Sequence, residues 1–241
     1  MRKLIAIFFV VFLSFASFYS ISTDFEYTVF NSDSSKISTP EELKNLDEED
    51  FRIKMAKDFF ALKKKNKDLA AWINVPNVCY YPVMYTGDQY YLRKDVDGSY
   101  KYSGTLFMSK ESNGSFNDTA VIYGHHMNDG SMFGSLKQYE YEKFFSSNPE
   151  TTVFDGEYFY TYKQYTTVYI VDGKESIRHK WTNLDVRENY FKSLYKKNEI
   201  KNYRDKNIDF KQPMLFLQTC EYFFEDCRLV VGLYQTEKEK Y

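Results

Sequence analysis

The sequence contains few cysteines and histidines and no large surplus of charge of either sign. Its 241 residues include three cysteines and three histidines. A small secreted domain stabilised by disulfides would carry more cysteines, in an even number, so the composition argues against a disulfide scaffold. Lys and Arg number 32 against 34 Asp and Glu, for a net charge of -2. Because there is no basic surplus, the chain is not expected to bind nucleic acid.

Apolar and aromatic residues, in contrast, are abundant. Hydrophobic residues make up 43% of the chain and charged residues 27%, which is typical of a folded globular protein. The 23 tyrosines and 22 phenylalanines favour the half-buried surface of a β-sheet. A chain of this length can bury one sizeable core or at most two small ones.

The N-terminus carries a hydrophobic run behind a basic flank. Residues 4–23 contain no charged side chain, and the first acid is Asp24. At ~1.5 Å per residue such a run can just cross a bilayer core of ~30 Å, with the basic flank in the cytoplasm and the rest of the chain outside. Residues 1–23 are therefore predicted to be a membrane anchor or, with a small-residue cleavage site at 14–16, a signal peptide.

A polar linker and a helical region follow. Residues 24–38 are rich in Ser and Asp and predict a linker that separates the N-terminal segment from the domain. The Thr-Pro-Glu-Glu sequence that begins at Thr39 is a capping box and predicts the start of a helix. We predict an N-terminal helical extension over residues 39–67. Its second helical stretch begins at about Asp50 and shows an apolar stripe of Phe51, Met55, Phe59 and Leu62.

After Trp72 the hydrophobic pattern changes to one typical of short β-strands. Asp155-Gly156 is a hairpin signal between two of them. Two helices are predicted among the strands, over residues 132–141 and 185–198. Many short strands with few helices indicate a mainly β fold, a closed β-barrel with helical decorations. The predicted strands cover residues 72–75, 80–83, 104–108, 120–123, 151–154, 158–171, 214–219 and 228–234.

A thiol and a guanidinium lie close together near the C-terminus. Cys220 ends one predicted strand and Arg228 lies at the start of the next, with a six-residue loop between Cys220 and Cys227. Strands joined by so short a loop are normally antiparallel neighbours, which would place Cys220 and Arg228 opposite each other. There the guanidinium can lower the thiol pKa and stabilise an oxyanion. The alternative is a surface ion pair of Arg228 with Glu225 or Asp226.

The histidines supply a candidate proton shuttle. His125 and His126 follow a strand-like run and Gly124, at a strand end where catalytic groups often lie. Adjacent residues of an extended chain project to opposite sides, so only one of the two is expected to reach the thiol. His179 lies in a charged stretch and is expected to face the solvent. Zinc is disfavoured, because no C-x-x-C pair accompanies the histidines.

The other two cysteines are expected to be structural. Cys227 precedes Arg228 in the same strand, so its side chain should lie on the opposite face as a packed hydrophobic group. Cys79 is in a turn region without an acid–base neighbour. A disulfide between Cys220 and Cys227 is geometrically conceivable, and it would silence the nucleophile.

These segments, in this order, resemble the sortases, and among them class B. The resemblance runs from about Asp68 to Tyr234. Ala71 and Gln218 depart from the family pattern, which usually has Gly and Ser at these places, and the loop from the cysteine to the arginine is short. The resemblance is carried by Asp68-Leu69-Ala70-Ala71-Trp72-Ile73, Tyr81-Pro82-Val83, Tyr90-Tyr91-Leu92, Gly104-Thr105-Leu106-Phe107-Met108, Val121-Ile122-Tyr123-Gly124-His125-His126-Met127, Met132-Phe133, Thr219-Cys220-Glu221 and Cys227-Arg228-Leu229-Val230-Val231.

The resemblance implies a closed eight-stranded sortase-type β-barrel over residues 68–241 and a cysteine transpeptidase activity. Carried over by position, Cys220 would be the nucleophile and Arg228 the oxyanion stabiliser. His125 would be the general acid and base. It is preferred to His126 because the histidine of the family directly follows the Gly of this strand-end motif.

The resemblance also implies substrates and partners. Leu92, Thr219 and Glu221 would belong to the substrate-binding groove, and neither a cofactor nor a metal is expected. The substrates would be secreted proteins with a C-terminal sorting motif of the Asn/Ser-Pro-x-Thr type. Their Thr carbonyl would be joined to an amine of a peptidoglycan precursor. The protein would cross the membrane of a Gram-positive bacterium once, with its catalytic domain on the extracellular face.

Two other functions stay open from the residues alone. A cysteine endopeptidase at the cell surface would hydrolyse the same thioacyl intermediate. A membrane-tethered adhesion or binding module would need no nucleophile. The combination of a cysteine, a histidine and an arginine with a membrane tether favours the transpeptidase, since a binding domain has no need of that set.

Overall fold

A computed structural model describes residue 43 and residues 45–148, 150–171, 176–197, 208–220 and 227–241, with the backbone alone at 171 and 220. The predicted anchor, the linker and the capping box at Thr39 lie outside these ranges. Within them, no helix combines the length and the apolar character needed to span a bilayer.

Helix α1, Glu48–Lys65, corresponds to the second stretch of the predicted helical extension. Its N-cap is Asp47, whose side chain accepts a hydrogen bond from the Asp50 backbone N–H at 2.8 Å. Three acids in the first turn and three lysines in the last turn are placed favourably for the helix dipole. The predicted apolar stripe is confirmed at its three C-terminal members, and the buried residues of the helix are Met55, Ala56, Phe59 and Leu62.

The eight strands form one closed barrel, as predicted. Their order around the barrel is β1-β2-β3-β4-β7-β8-β6-β5, and the sheet closes because β1 also pairs with β5. Most neighbours are antiparallel, but β2–β3 and β4–β7 are parallel. The strands are β1 Leu69–Val75, β2 Cys79–Met84, β3 Leu106–Met108, β4 Thr119–Gly124, β5 Glu150–Phe154, β6 Tyr158–Val171, β7 Met214–Cys220 and β8 Cys227–Lys240.

Helices decorate the barrel between strands. Helix α2, Glu142–Ser147, was not predicted, whereas α3, Leu184–Lys196, matches the predicted helix at 185–198. The helix predicted at 132–141 is a 3-10 helix, Gly134–Glu140. Two further 3-10 helices, Tyr90–Arg93 and Lys110–Ser112, lie before β3 and between β3 and β4.

Alternation along the strands divides the apolar residues into two clusters. One cluster fills the barrel interior and includes Ile122, Leu217 and Leu229. The other lies on the outer face of β4, β7 and β8, where α3 covers it, and includes Phe216 and Val230. Because side chains alternate along a strand, the outer series of β7 continues to position 220 and that of β8 to position 228.

Candidate active site

Strand register brings three of the predicted site residues into one row at one end of the barrel. In the antiparallel β7–β8 pair, Cys220 and Arg228 are direct partners. In the parallel β4–β7 pair, the last partners are Gly124 and Thr219, so His125 is one step further on, level with Cys220. Directly opposed residues of neighbouring strands share a face of the sheet. We call the row formed by His125, Cys220 and Arg228 the site rim.

Tight packing around Gly124 fixes the backbone that carries His125. A Cβ atom on Gly124 would lie 2.5 Å from Leu106 Cδ2 and 2.6 Å from Phe133 Cδ2, so only glycine fits here without a shift. The Phe133 N–H donates a hydrogen bond to the His125 carbonyl at 3.0 Å. His126 then forms a bridge with Met132 and is buried, whereas His125 is half-buried.

The His125 imidazole is in an environment that disfavours its charged form. Burial lowers its pKa, and the guanidinium of Arg93 lowers it further. Both effects act in the same direction, because a buried cation loses hydration and a second cation repels it. At neutral pH the ring is therefore predominantly neutral and can accept a proton.

Arg228 lies at the start of β8, half-buried, on the outer face of the sheet. Its Nη1 atom donates to the carbonyl of Cys227 at 3.2 Å. Cys227 itself is buried at 2% exposure, as expected for a packed hydrophobic residue. The ion pair with Glu225 or Asp226 that was considered for Arg228 falls on residues outside the described ranges.

The structure describes two of the three predicted substrate-binding residues and places them differently. Leu92 belongs to the 3-10 helix Tyr90–Arg93 and is 38% exposed. Thr219 is only 2% exposed and continues the interior series of β7, so it does not share the outer face with position 220. Glu221 lies outside the described residues. All three stay predictions.

Cys79 is a poor competitor for the role of nucleophile. It begins β2, not a turn, and it is 2% exposed within the interior cluster. Burial raises the pKa of its thiol to about 12. Since the thiolate is the reactive form, Cys79 is unreactive at neutral pH.

His179 does not face the solvent, so that prediction was wrong. Its ring is half-buried, with Nδ1 3.1 Å from the Thr119 carbonyl and Nε2 3.4 Å from Ser109 Oγ. Burial lowers the pKa of His179 and outweighs the opposing effect of its hydrogen bond to Thr119. The charged residues beside His179 in the sequence suggested an exposed side chain, but the ring packs against the start of β4.

Arg93 was missed by the sequence reasoning. It occupies the last position of the 3-10 helix that carries Leu92, and its charge acts on His125. A lone arginine in a tyrosine-rich stretch gives no local signal, because its proximity to His125 depends on strand register.

As for metals, no group of three or more His, Cys, Asp or Glu side chains among the described residues is arranged to hold an ion.

Comparisons with known proteins agree with this fold. The model of the sortase domain matches residues 73–234. Sortase B of Staphylococcus aureus is 28% identical over 167 residues, which are 68% of this chain and 67% of that protein. Sortase B of Listeria monocytogenes is 30% identical over 120 residues, 46% of this chain and 49% of that protein.

Solved structures give the same result. A mutant form of Clostridium perfringens sortase B superposes with a TM-score of 0.71 at 25% identity, covering 86% of this chain and all of that one. Another structure of Clostridium perfringens sortase B gives a TM-score of 0.67 at 26% identity, covering 74% of this chain and 99% of that one. The chain therefore belongs to the sortase family of cysteine transpeptidases, and the relatives it matches are sortases of class B.

Proposed function

We propose that Cys220, His125 and Arg228 are the catalytic residues of this transpeptidase. The observation that supports the proposal most directly is the register of β4, β7 and β8, which aligns the three positions in one row. A nucleophile, a proton shuttle and an oxyanion donor are the three groups that acyl transfer requires. Cys79 lies in the barrel interior, so it does not compete for the role.

The first half-reaction cleaves the donor. The Cys220 thiolate attacks the carbonyl carbon of the Thr in a sorting motif of the Asn/Ser-Pro-x-Thr type, and a tetrahedral intermediate forms. Arg228 donates hydrogen bonds to its oxyanion, and the loss of such a donor typically costs about 3 kcal/mol of barrier. The C–N bond then breaks, and the His125 imidazolium gives its proton to the departing amine. A thioester remains on Cys220.

The second half-reaction uses an amine. His125, now neutral, accepts the proton of the attacking amine as that amine forms a bond to the thioester carbonyl. The C–S bond breaks, a new amide is released, and Cys220 leaves as the thiolate. Because the pKa of His125 is lowered, its neutral form predominates at neutral pH, and the imidazolium that the first half-reaction needs is a minor fraction.

The family indicates a role at the cell surface of Gram-positive bacteria, in the anchoring of proteins to the cell wall. We propose for this chain that the donors are secreted proteins with the sorting motif and that the acceptor is a peptidoglycan-precursor amine. The apolar run at residues 4–23 supports a single membrane crossing, with the catalytic domain on the extracellular side.

Trapping the thioester tests the proposal. The chain is incubated with labelled peptides that contain motif variants, and the adduct is located by mass spectrometry. We expect the adduct on Cys220 and its loss in Cys220→Ala, whereas Cys79→Ala keeps it. An adduct at another residue, or turnover by Cys220→Ala, would refute the assignment.

Product analysis separates transfer from hydrolysis. An added amine should appear in the product and should speed the decay of the thioester. If the amine never enters the product, the chain acts as an endopeptidase on these substrates. Arg228→Lys keeps the charge but loses the planar fork, so we expect a fall in kcat of about tenfold to a thousandfold with little change in KM.

A further inference from the structure

The 3-10 helix Tyr90–Arg93 is fastened directly beside the site rim. In the β3–β4 pair, Phe107 is opposite Tyr123, so Thr105 lies opposite His125 two steps further on. The Thr105 N–H donates a hydrogen bond to the Tyr91 carbonyl at 3.1 Å. The helix is therefore attached on one side of His125, while Cys220 and Arg228 follow on the other side.

Two features hold this helix rigidly. A Cβ on Gly104 would lie 2.4 Å from the Leu92 carbonyl oxygen, and its φ of +59° also favours glycine, so the close approach depends on Gly104. The buried Tyr91 hydroxyl donates to Asp68 at 2.9 Å and accepts from Asn66 at 2.6 Å. Since Tyr91 is anchored inward, its neighbours Leu92 and Arg93 are held near the rim.

Arg93 has a fixed orientation but no acidic partner among the described residues. Its Nη1 donates a hydrogen bond to the Tyr102 carbonyl, and its Cζ lies 4.5 Å from the centre of the Tyr102 ring. Tyr102 itself is 63% exposed. The acid nearest in the loop, Asp95, is already paired with Lys101 at 3.2 Å. A guanidinium has five N–H donors in a planar fork, so Arg93 keeps donors that no other described residue engages.

We propose that Arg93 is a specificity-determining residue that binds a carboxylate of a substrate at the site rim. The inference rests on the proposed function of the rim. A planar guanidinium matches a carboxylate in a two-point geometry, and the ring of Tyr102 holds one face of it. The carboxylate can come from the donor peptide beside its sorting motif or from the acceptor that bears the amine.

Binding of the carboxylate would also act on His125. Among the described residues, Arg93 from the 3-10 helix is the charged group that acts on this ring. Arg228 lies on β8, beyond β7, and Asp129 in the loop after His125 is engaged by Ser131. A substrate carboxylate would offset the charge of Arg93 and so favour the imidazolium. The first half-reaction uses the imidazolium, so an acidic donor should have a higher kcat for thioester formation as well as a lower KM.

The test compares the full-length chain with Arg93→Gln, Arg93→Lys and the matched control Lys94→Gln, which removes a positive charge from the adjacent residue. In the donor arm, peptides carry Asp or Asn at each position flanking the motif, with one fixed acceptor. In the acceptor arm, triglycine is compared with triglycinamide on one fixed donor. We expect a preference of about tenfold or more in kcat/KM for the acid in one arm.

Arg93→Gln should abolish that preference, Arg93→Lys should restore part of it, and Lys94→Gln should retain it. In the donor arm, the pH dependence of thioester formation should move to higher pH with Asp than with Asn, in wild type only. Equal rates for acid and amide in both arms, or a preference that survives in Arg93→Gln, would overturn the proposal. If no peptide forms a thioester on Cys220, the proposed function itself fails, which is a distinct result.

Discussion

A histidine lies at each end of strand β4: the distant His179 packs against its beginning, and His125 follows its last residue. The two histidines are held in different ways. At the beginning of β4, His179 is fixed through both ring nitrogens, by the Thr119 carbonyl and Ser109 Oγ. At its end, no hydrogen bond from another described residue fixes the His125 ring, although its backbone is clamped by Phe133. Burial lowers the pKa of both. The two ring nitrogens of His179 are therefore engaged by its own fold, whereas those of His125 are available, as the proposed role in proton transfer requires.

The largest expected effect tests the difference between the two histidines directly. His125→Gln should lower kcat/KM by roughly 10²–10⁴-fold, because it removes the proposed proton shuttle. His179→Gln should change it by less than about twofold, since His179 is at the other end of β4. Transpeptidation assays on both variants, each checked by thermal unfolding, decide the matter. Similar losses in the two variants would contradict the assigned roles.

The next effect concerns stability at the beginning of β4. The Arg187 side chain is 5% exposed and donates to the Phe210 and Gln212 carbonyls, with an ion pair to Asp118 at 3.2 Å. Arg187→Met would leave two carbonyls without a donor, so we expect a loss of roughly 2–5 kcal/mol in the free energy of unfolding. Denaturant titration measures it. Lys211 is exposed and lines the same surface cleft as Arg187, and Lys211→Met should cost less than about 0.5 kcal/mol.

A smaller effect is expected from the packing that supports the reactive end. Gly124→Ala forces Leu106 and Phe133 apart, and such overpacking typically costs about 1–3 kcal/mol. Because the shift is passed to His125, activity should fall about tenfold or more in the folded variant. Unfolding and single-turnover thioester formation are measured on one preparation. Unchanged activity with reduced stability would show that the rim does not depend on this packing.

The smallest effect is the response of stability to pH. The pKa of His179 is lowered in the folded state, so the unfolded chain binds a proton first as the pH falls through about 6.5. Stability should therefore be greater at about pH 7.5 than at about pH 5.5, and the loss should level off below the folded pKa. Unfolding titrations at both values should show a weaker pH dependence in His179→Gln. An unaltered dependence would mean that other groups dominate.

Much of the fold was predictable from the sequence, because strands and helices follow the local periodicity of apolar residues. The eight strands and α1 have strong patterns, and the short loop after Cys220 correctly indicated the antiparallel pairing with Arg228. The 3-10 helix Tyr90–Arg93 is too short to show a period, so it was missed. His179 was misjudged because its partners, Ser109 and Thr119, are distant in sequence and come near only through tertiary packing.

The parallel pairing of β4 with β7 has a consequence for the time at which activity can arise. Parallel partners cannot be joined by a tight turn, and here β5, β6 and α3 intervene in the chain. Such long-range pairs close late in folding. If the proposed assignment holds, a polypeptide stalled before β7 would contain His125 without Cys220 beside it, and it would stay chemically inert until its last two strands have docked.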